Sequence, residues 1–322
     1  MSRVAVLGAG GYIGRRTVEL LRLAGHNVLP LVRPGSSSRH EDEHAVDARD
    51  EVGLTTALKG RDAVVASIAG SNDTIVDVVE PIYRAAMQAG VRRIVHLSSA
   101  VVHGQAPIPG TDEGQSLSPD QPFAYNRAKI EAERRFKQLR TKHQVEVVML
   151  RPFIVYGPNS RWVRDFADQL VTGRAMVFDG GEGICNAVHV DNVVHAIERA
   201  LVSDVPPASA ILLNDAETVR WLDLFRPIAT ALGYDFERIP SRSSRETVER
   251  LTQPSRWWRK FFQESAEARE RLLEAALLQS CTVRLPIDKA RAVLGYDPPV
   301  SFAQGVQLAV AELDKAGYGC SR

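Results

Sequence analysis

Cysteine is scarce in this chain, with three residues at positions 185, 281 and 320 of 322. An odd, scattered set makes no disulfide framework and suits reduced thiols, so a cytoplasmic location is expected. An excess of charge is lacking too. Lys plus Arg number 40 against 39 Asp plus Glu, and nothing in that balance points to a nucleic-acid partner. No apolar run approaches the length of a membrane span, and the N-terminus enters a strand-like run at once, without a signal-peptide pattern. Metal-ligand spacing is missing as well. His40 and His44 have no Cys or second histidine pair near them, so no metal is expected. Repeats and low-complexity tracts are also absent.

What is present begins at the N-terminus. Val4 to Leu7 are an apolar, β-branched-rich run of the length of a buried parallel strand. Gly8, Gly11 and Gly14 follow at Gly-x-x-Gly-x-x-Gly spacing, and Tyr12 to Leu23 read as an amphipathic helix. The first glycine permits a tight turn, the second lets backbone approach a pyrophosphate, and the third lets helix pack closely on strand. The amides of the first turn, Tyr12 and Ile13 among them, would then face the phosphates. Placed between strand and helix, the triplet predicts a dinucleotide site.

The second strand, Val28 to Val32, ends in Arg33-Pro34-Gly35-Ser36-Ser37-Ser38 with no acid. An acid there would bind an adenosine ribose, whereas an arginine accommodates a 2′-phosphate. Arg33 and the serines favour NADP, with NAD as the alternative and a solvated loop arginine as the plainer reading.

Tyr125 and Lys129 lie four residues apart at the start of a long helix, which stacks them on one face. A tyrosine has an ordinary pKa of about 10, and a neighbouring cation favours its phenolate. Between these ends, the strand Arg93 to Leu97 is followed by Ser98-Ser99-Ala100-Val101-Val102-His103-Gly104.

The glycine triplet, a serine at the end of that strand and Tyr-x-x-x-Lys resemble the extended short-chain dehydrogenase/reductase family, the epimerase/dehydratase group. So do Asp47 after the third strand, Arg151-Pro152-Phe153-Ile154-Val155-Tyr156-Gly157-Pro158, Val188-His189-Val190-Asp191-Asn192-Val193 and Leu294-Gly295-Tyr296-Asp297-Pro298. The resemblance runs nearly the whole chain. It implies a catalytic Ser99, Tyr125 and Lys129: Ser99 holds the substrate oxygen, and Tyr125 exchanges a proton with it as hydride moves to or from the nicotinamide. Lys129 binds the nicotinamide ribose and lowers the phenol pKa. Asp47 and Ala48 would approach the adenine, Ala69 the cofactor's middle, and Pro152 and Phe153 the nicotinamide. Each has a duller rival: loop hydroxyls for Ser98 and Ser99, a helix cap for Asp47. His189 and Asp191 are given packing and turn roles.

The expected fold is α/β, a Rossmann-type doubly wound parallel sheet with a smaller C-terminal α/β substrate lobe. Residues 1–160 would bind NAD(P), and 161–322 would mainly form the substrate lobe, intertwined with the first. A helix is expected near Asp73 to Gln88. The helix Asp191 to Leu201 and the strand Ala210 to Leu213 are assigned to the smaller lobe. A helical insertion at about 241–280 carries Trp257-Trp258 and Phe261-Phe262 among interleaved arginines and glutamates. Its aromatic face is expected to pack on the protein's own lobe, the alternatives being a lid or a surface for a partner or membrane.

Departures from the family narrow the reaction. Ala100-Val101 stand where sugar-nucleotide 4,6-dehydratases carry an Asp-Glu pair, so that elimination chemistry is rejected. Ile154 replaces an asparagine near the pyrophosphate, and Cys185-Asn186-Ala187 replace Arg-Asp-Phe. Arg161 or Arg174 remain as basic groups able to hold phosphate. The expected activity is hydride transfer at a secondary alcohol or ketone of a small molecule, as a nucleotide-sugar 4-ketoreductase or 4-epimerase. A hydroxysteroid- or flavonoid-type ketoreductase is the runner-up, favoured by Ile154. A non-catalytic NADP-sensing binding protein is the alternative of another class, opposed by the intact Ser99, Tyr125 and Lys129. Family habit suggests a homodimer built on the helix that carries Tyr125.

Overall fold

The computed structural model describes residues 1–36, 42–142, 145–206, 208–252 and 265–318. The first part of the chain runs β1 (Arg3–Leu7), α1 (Tyr12–Leu23), β2 (Asn27–Val32), β3 (His44–Ala45), α2 (Glu51–Leu58) and β4 (Ala63–Ala66). Next come α3 (Asn72–Asp77), α4 (Val79–Gln88), β5 (Arg93–Leu97), α5 (Ala124–Lys142) and β6 (Glu146–Pro152). The second part holds β7 (Ile154–Tyr156), α6 (Arg161–Val171), β8 (Val177–Phe178), β9 (Ala187–His189), α7 (Val190–Val202) and β10 (Ser209–Leu213). It ends with α8 (Trp221–Ala231), β11 (Ser241–Arg242), α9 (Ser244–Thr252), α10 (Ala266–Gln279), α11 (Asp288–Leu294) and α12 (Phe302–Leu313).

Seven strands make one parallel sheet in the order β10-β6-β5-β4-β1-β2-β3. The period of two in each strand divides its apolar residues between two cores. Ala5, Leu7, Val64, Ala66, Ile94, Val147 and Met149 face the layer of α2, α4 and α5. Val4, Val6, Val65, Val95, Leu97, Val148 and Leu150 face the layer of α1 and α7. A fully buried Leu or Val contributes about 1.5–3 kcal/mol, so each strand is anchored from both sides. The chain leaves β1 toward one edge and returns to β4 on its other side. That reversal opens a crevice beyond the carboxyl ends of β1 and β4.

The expected doubly wound sheet is present, with two differences in detail. The single helix expected near Asp73 to Gln88 is broken at Val78 into α3 and α4. Pro81 lacks the N–H that would bond the Asp77 carbonyl, and its ring crowds that carbonyl, so α3 stops there. The helix at 190–202 and the strand at 209–213 also sit elsewhere than expected. β10 extends the main sheet beside β6, with all five residues buried, and α7 packs against α1. The Leu212 amide at that edge donates to Glu113 Oε1 at 2.8 Å, so the long loop after β5 covers part of it. A separate core gathers Phe153, Ile154, Trp221, Phe225, Leu278 and neighbours under α6, α8 and α12.

Of the segment at 241–280, β11, α9 and α10 are described, whereas Trp257, Trp258, Phe261 and Phe262 lie outside the described residues, as do Ser37, Ser38, His40 and Cys320. Among the described residues no helix is long and apolar enough to cross a membrane.

Asp215, fully buried, ties β7, β9 and α7 together. It accepts from the His189 amide at 3.0 Å, the Asn192 side chain at 2.7 Å and the Tyr156 hydroxyl at 2.8 Å. Burial nevertheless wins over these donors and pushes its pKa up to about 6. A carboxyl raised in the folded state binds more protons there than when unfolded. Its contribution to stability is therefore full below the unfolded value, near 4, and is lost as pH rises through about 6. Comparing denaturant midpoints from pH 4 to 7 (a window of roughly three units) should show this downward slope in the protein and its loss in Asp215→Asn.

Candidate active site

At the crevice, Gly8 has φ +78°, and a Cβ there would lie 2.4 Å from the Ser67 carbonyl oxygen after β4. Gly14 is excluded from any larger residue in the same way, since its Cβ would come within 2.1 Å of Gly8 O. The two glycines let β1, the turn and α1 close up. Gly11 is the N-cap of α1, no side chain caps it, and no acid lies in the first turn, which contains Tyr12, Ile13 and Gly14. Such an uncapped N-terminus at a sheet's switch point fits the pyrophosphate of a dinucleotide. The Tyr12 phenol itself is turned away, toward Gly157 and Ser160.

The other expected cofactor residues ring this crevice at strand ends. Arg33 is exposed just past β2, without a side-chain partner among the described residues. Asp47 is exposed and accepts from the Arg49 amide at 2.9 Å, and it is Asp50 that caps α2 through Gly53 N at 3.0 Å. Ala48 packs partly on the core, and Ala69 is exposed after β4. Pro152 and Phe153 are buried at the end of β6.

Ser99, Tyr125 and Lys129 come together beyond β5. Ser99 caps a short 3-10 turn, its hydroxyl accepting from Val101 N and donating to Pro152 O, both at 3.4 Å. It also acts on the Tyr125 phenol. Lys129 Nζ lies 5.8 Å from the Tyr125 ring centroid and donates to Leu97 O at 2.8 Å. Ser98 is otherwise engaged, donating to Glu133 Oε1 at 2.6 Å.

The electrostatics differ from the expected picture of a phenol lowered by its lysine. Tyr125 keeps 40% of its surface exposed, yet its phenol sits in a poorly hydrated setting, and burial pushes its pKa above the ordinary value. The Ser99 hydroxyl and the charge of Arg161 oppose this, and the charge of Glu274 adds to it. Burial brings Lys129 down to about 8, against the pull of Glu133.

Below Lys129 on the same helical stripe is Glu133. Arg151 grips it with two bonds, Nε to Oε1 at 2.8 Å and Nη2 to Oε2 at 2.6 Å, both side chains being 1% exposed. Burial opposes the Glu133 charge, but Arg151 and the Ser98 hydroxyl outweigh it and hold the pKa below the usual carboxylate range. Arg151 Nη1 also meets His103 Nε2 at 3.0 Å. An arginine can only donate, so Nε2 accepts and the imidazole carries its proton on Nδ1. Burial and the Arg151 charge take His103 down to about 4, a neutral ring at neutral pH. Glu133 and His103 were not singled out as a pair in the sequence; the i, i+4, i+8 spacing of Tyr125, Lys129 and Glu133 was the available signal.

A cavity of about 630 Å³ lies between α6, α8 and α10. Its walls include Trp162, Phe166, Trp221 and Phe225, with Phe166 stacked on Phe225 at 4.0 Å between centroids. Arg161, Arg174 and Arg271 are set against Asp165, Glu267 and Glu274 on the same walls. Arg161 and Glu274 are also charges felt at the Tyr125 phenol. His189 and Asp191 carry structural contacts. His189 caps α7 through Asp191 N at 3.2 Å, and Asp191 takes two bonds from Arg16 at 2.6 and 2.8 Å.

The model of the NAD dependent epimerase/dehydratase family matches residues 4–211, the sheet, the crevice and the Ser99–Tyr125–Lys129 cluster together. The chain belongs to this family. Its relatives include a UDP-glucose 4-epimerase of Mycolicibacterium smegmatis, 30% identical over 230 residues, 62% of this chain and 72% of that protein. A 3 beta-hydroxysteroid dehydrogenase/Delta 5-->4-isomerase of Mycobacterium tuberculosis is 26% identical over 339 aligned positions, 95% of this chain and 89% of that one. The crystal structure of UDP-glucose 4-epimerase with UDP-glucose from Thermotoga maritima superposes with TM-score 0.74 at 19% identity, covering 97% of this chain and 99% of that one. The protein is accordingly an NAD(P)-dependent enzyme of the extended short-chain dehydrogenase/reductase type.

In this epimerase/dehydratase family member the Glu133–Arg151 pair should be structural first. Glu133→Ala leaves a buried guanidinium unpaired and should cost roughly 3–5 kcal/mol. Chemical denaturation of the purified variant checks this, and an effect below about 1 kcal/mol would place the pair among those of surface strength.

Proposed function

We propose that the chain transfers hydride at a secondary alcohol or ketone, with Ser99, Tyr125 and Lys129 as its catalytic residues. The observation that carries the reading is the convergence of these three side chains beside the glycine-lined crevice. A nicotinamide cofactor, when bound, supplies or accepts the hydride. Ser99 then holds the substrate oxygen, and Tyr125 gives its phenolic proton to that oxygen in reduction or takes it back in oxidation. Lys129, with a pKa near 8, is a charge-bearing donor for the cofactor's ribose hydroxyls.

The substrate class we favour is a nucleotide sugar, for 4-keto reduction or 4-epimerisation. Arg161, Arg174 and Arg271 offer charge to a diphosphate, and the aromatic wall offers a stacking face to a base. The epimerase relative supports the same class. A steroid-like ketone is the second reading, supported by the hydroxysteroid dehydrogenase relative, whose match takes in 95% of the chain. Ile154 no longer argues for it, being buried in the core at 1% exposure. NADP is the cofactor we favour, through Arg33, and a cytoplasmic homodimer completes the proposal.

Three measurements test these assignments. Tyr125→Phe should lower turnover by roughly two to four orders of magnitude while cofactor affinity stays within a few-fold; turnover like that of the parent removes the tyrosine from the reaction. Panels of sugar nucleotides and steroid ketones, followed by NADPH absorbance and isomer analysis, supply the substrate. Arg33→Ala should weaken NADP binding about tenfold and NAD binding much less, the loss of one charge-assisted contact. Equal losses for both would end the phosphate role.

A further inference from the structure

The aromatic cavity has an exposed mouth and a buried floor. At the mouth Arg161 pairs with Asp165 and Arg271 with Glu267, all four side chains largely exposed. The floor is built from Phe166, Phe178, Trp221, Phe225 and Leu278, all buried. The indole N–H there is already used, since Trp221 Nε1 donates to Leu278 O at 3.1 Å. A further buried polar side chain borders the floor, that of Gln279 at the end of α10, 6% exposed. The Phe178 amide donates to its Oε1 at 2.8 Å. A backbone N–H can only donate, so this bond fixes which end of the side-chain amide is oxygen. Nε2 is then turned away from β8. It has no partner among the described residues, yet it is not sealed in protein, and the space that Gln279 borders is the cavity. The backbone on either side is pinned. Cys281 O accepts from the Ile184 amide at 2.6 Å, and a Cβ at Gly183 would lie 1.7 Å from Gln279 O. A donor held this firmly loses little freedom when a ligand meets it.

On the reading that this cavity receives the substrate, we propose that Gln279 is a specificity-determining residue. Its Nε2 donates to a carbonyl oxygen borne by a flat ring that sits among Trp221, Phe225 and Phe166. The aromatic walls take the faces of such a ring. A buried donor left without an acceptor is costly, so a ring that lacks the carbonyl is rejected and not merely held less well. An exocyclic amine in the same place sets hydrogen against hydrogen and is excluded as well. Two ring systems carry the required oxygen, a uracil- or thymine-like base and the ketone of a steroid ring. The arginines at the mouth suit the base, whose diphosphate would pass them. Gln279 chooses the ligand by this one bond and leaves the hydride step to Ser99, Tyr125 and Lys129.

Trp162 and Trp221 on the cavity walls report binding through their fluorescence, so the test needs no turnover. The full-length protein is titrated with UDP and CDP, and separately with a 17-ketosteroid and its 17-deoxy counterpart. The parent should bind UDP roughly tenfold or more tighter than CDP. Gln279→Glu keeps an acceptor for the Phe178 amide and removes both donors. Its carboxylate repels a ring carbonyl and accepts from the cytosine amine, so the preference for UDP should vanish or reverse. A preference for the ketosteroid over its deoxy form that vanishes in Gln279→Glu supports the proposal with the steroid as the ring. Equal binding within both pairs by the parent overturns it. So does a preference that Gln279→Glu leaves unchanged, and so does a lack of binding by all four probes. Where Gln279→Glu does not fold, the parent's own preferences decide. Abolished turnover in Tyr125→Phe beside equal binding within both pairs leaves the hydride-transfer reading standing and Gln279 refuted. Parent-like turnover in Tyr125→Phe beside a preference that Gln279→Glu removes does the reverse.

Discussion

A carboxylate and a guanidinium are held out of water between α5 and β6, and the placement of the whole active site depends on them. Glu133 and Arg151 are each 1% exposed and share two short hydrogen bonds. Removing two such ions from water costs several kcal/mol each, which only good geometry and further donors can offset. Both conditions are met here, since Ser98 adds a third donor to the carboxylate and His103 an acceptor to the guanidinium. Because α5 turns once every 3.6 residues, fixing Glu133 fixes Lys129 and Tyr125 above it. Apolar packing of Ala128, Ala132 and Phe136 holds the helix to the sheet. A methyl-rich contact tolerates sliding, and a two-pronged ion pair does not.

The same stripe explains why the charges around the tyrosine are arranged as they are. Lys129 is buried and donates to the Leu97 carbonyl, with Glu133 one turn away. His96, buried beside Phe136, is brought down to about 3 by burial first and by the Lys129 charge second. The neutral imidazole leaves Lys129 without a competing cation next to it. Desolvation is the term that a motif cannot display. Tyr-x-x-x-Lys suggests a phenol made acidic by its neighbour, but burying the phenol raises its pKa by more than Ser99 and Arg161 lower it.

What the sequence made legible follows the range of the interactions involved. The β1–turn–α1 unit was readable to the residue, because Gly11 and Gly14 answer to Gly8 within one turn of chain, although Gly8 itself answers to Ser67 after β4. Tyr125 and Lys129 were readable for the same reason, as was Ser99 once its family resemblance had been drawn. The break at Val78 was written locally in Pro81, yet the surrounding apolar periodicity concealed it. The place of β10 was not local at all. Its five buried residues suit the core of either part of the molecule, and only pairing with β6 decides between them. The helix α10 is the extreme case, since it walls the aromatic cavity from far along the chain beyond α6 and α8.

That separation has a functional consequence. α10 walls the aromatic cavity with Ala275 and Leu278, touches the approach to α5 through Leu273, and presents Glu274 between them. The arginines and acids of the cavity are matched in number, so an anionic group entering beside Arg161 changes the balance of charge felt at Glu274 and at Tyr125 alike. Substrate recognition and proton transfer are then two effects of one set of charges. In a sheet whose carboxyl-end crevice is shared across the family, the chemistry at the substrate oxygen is set by side chains that arrive from the divergent lobe.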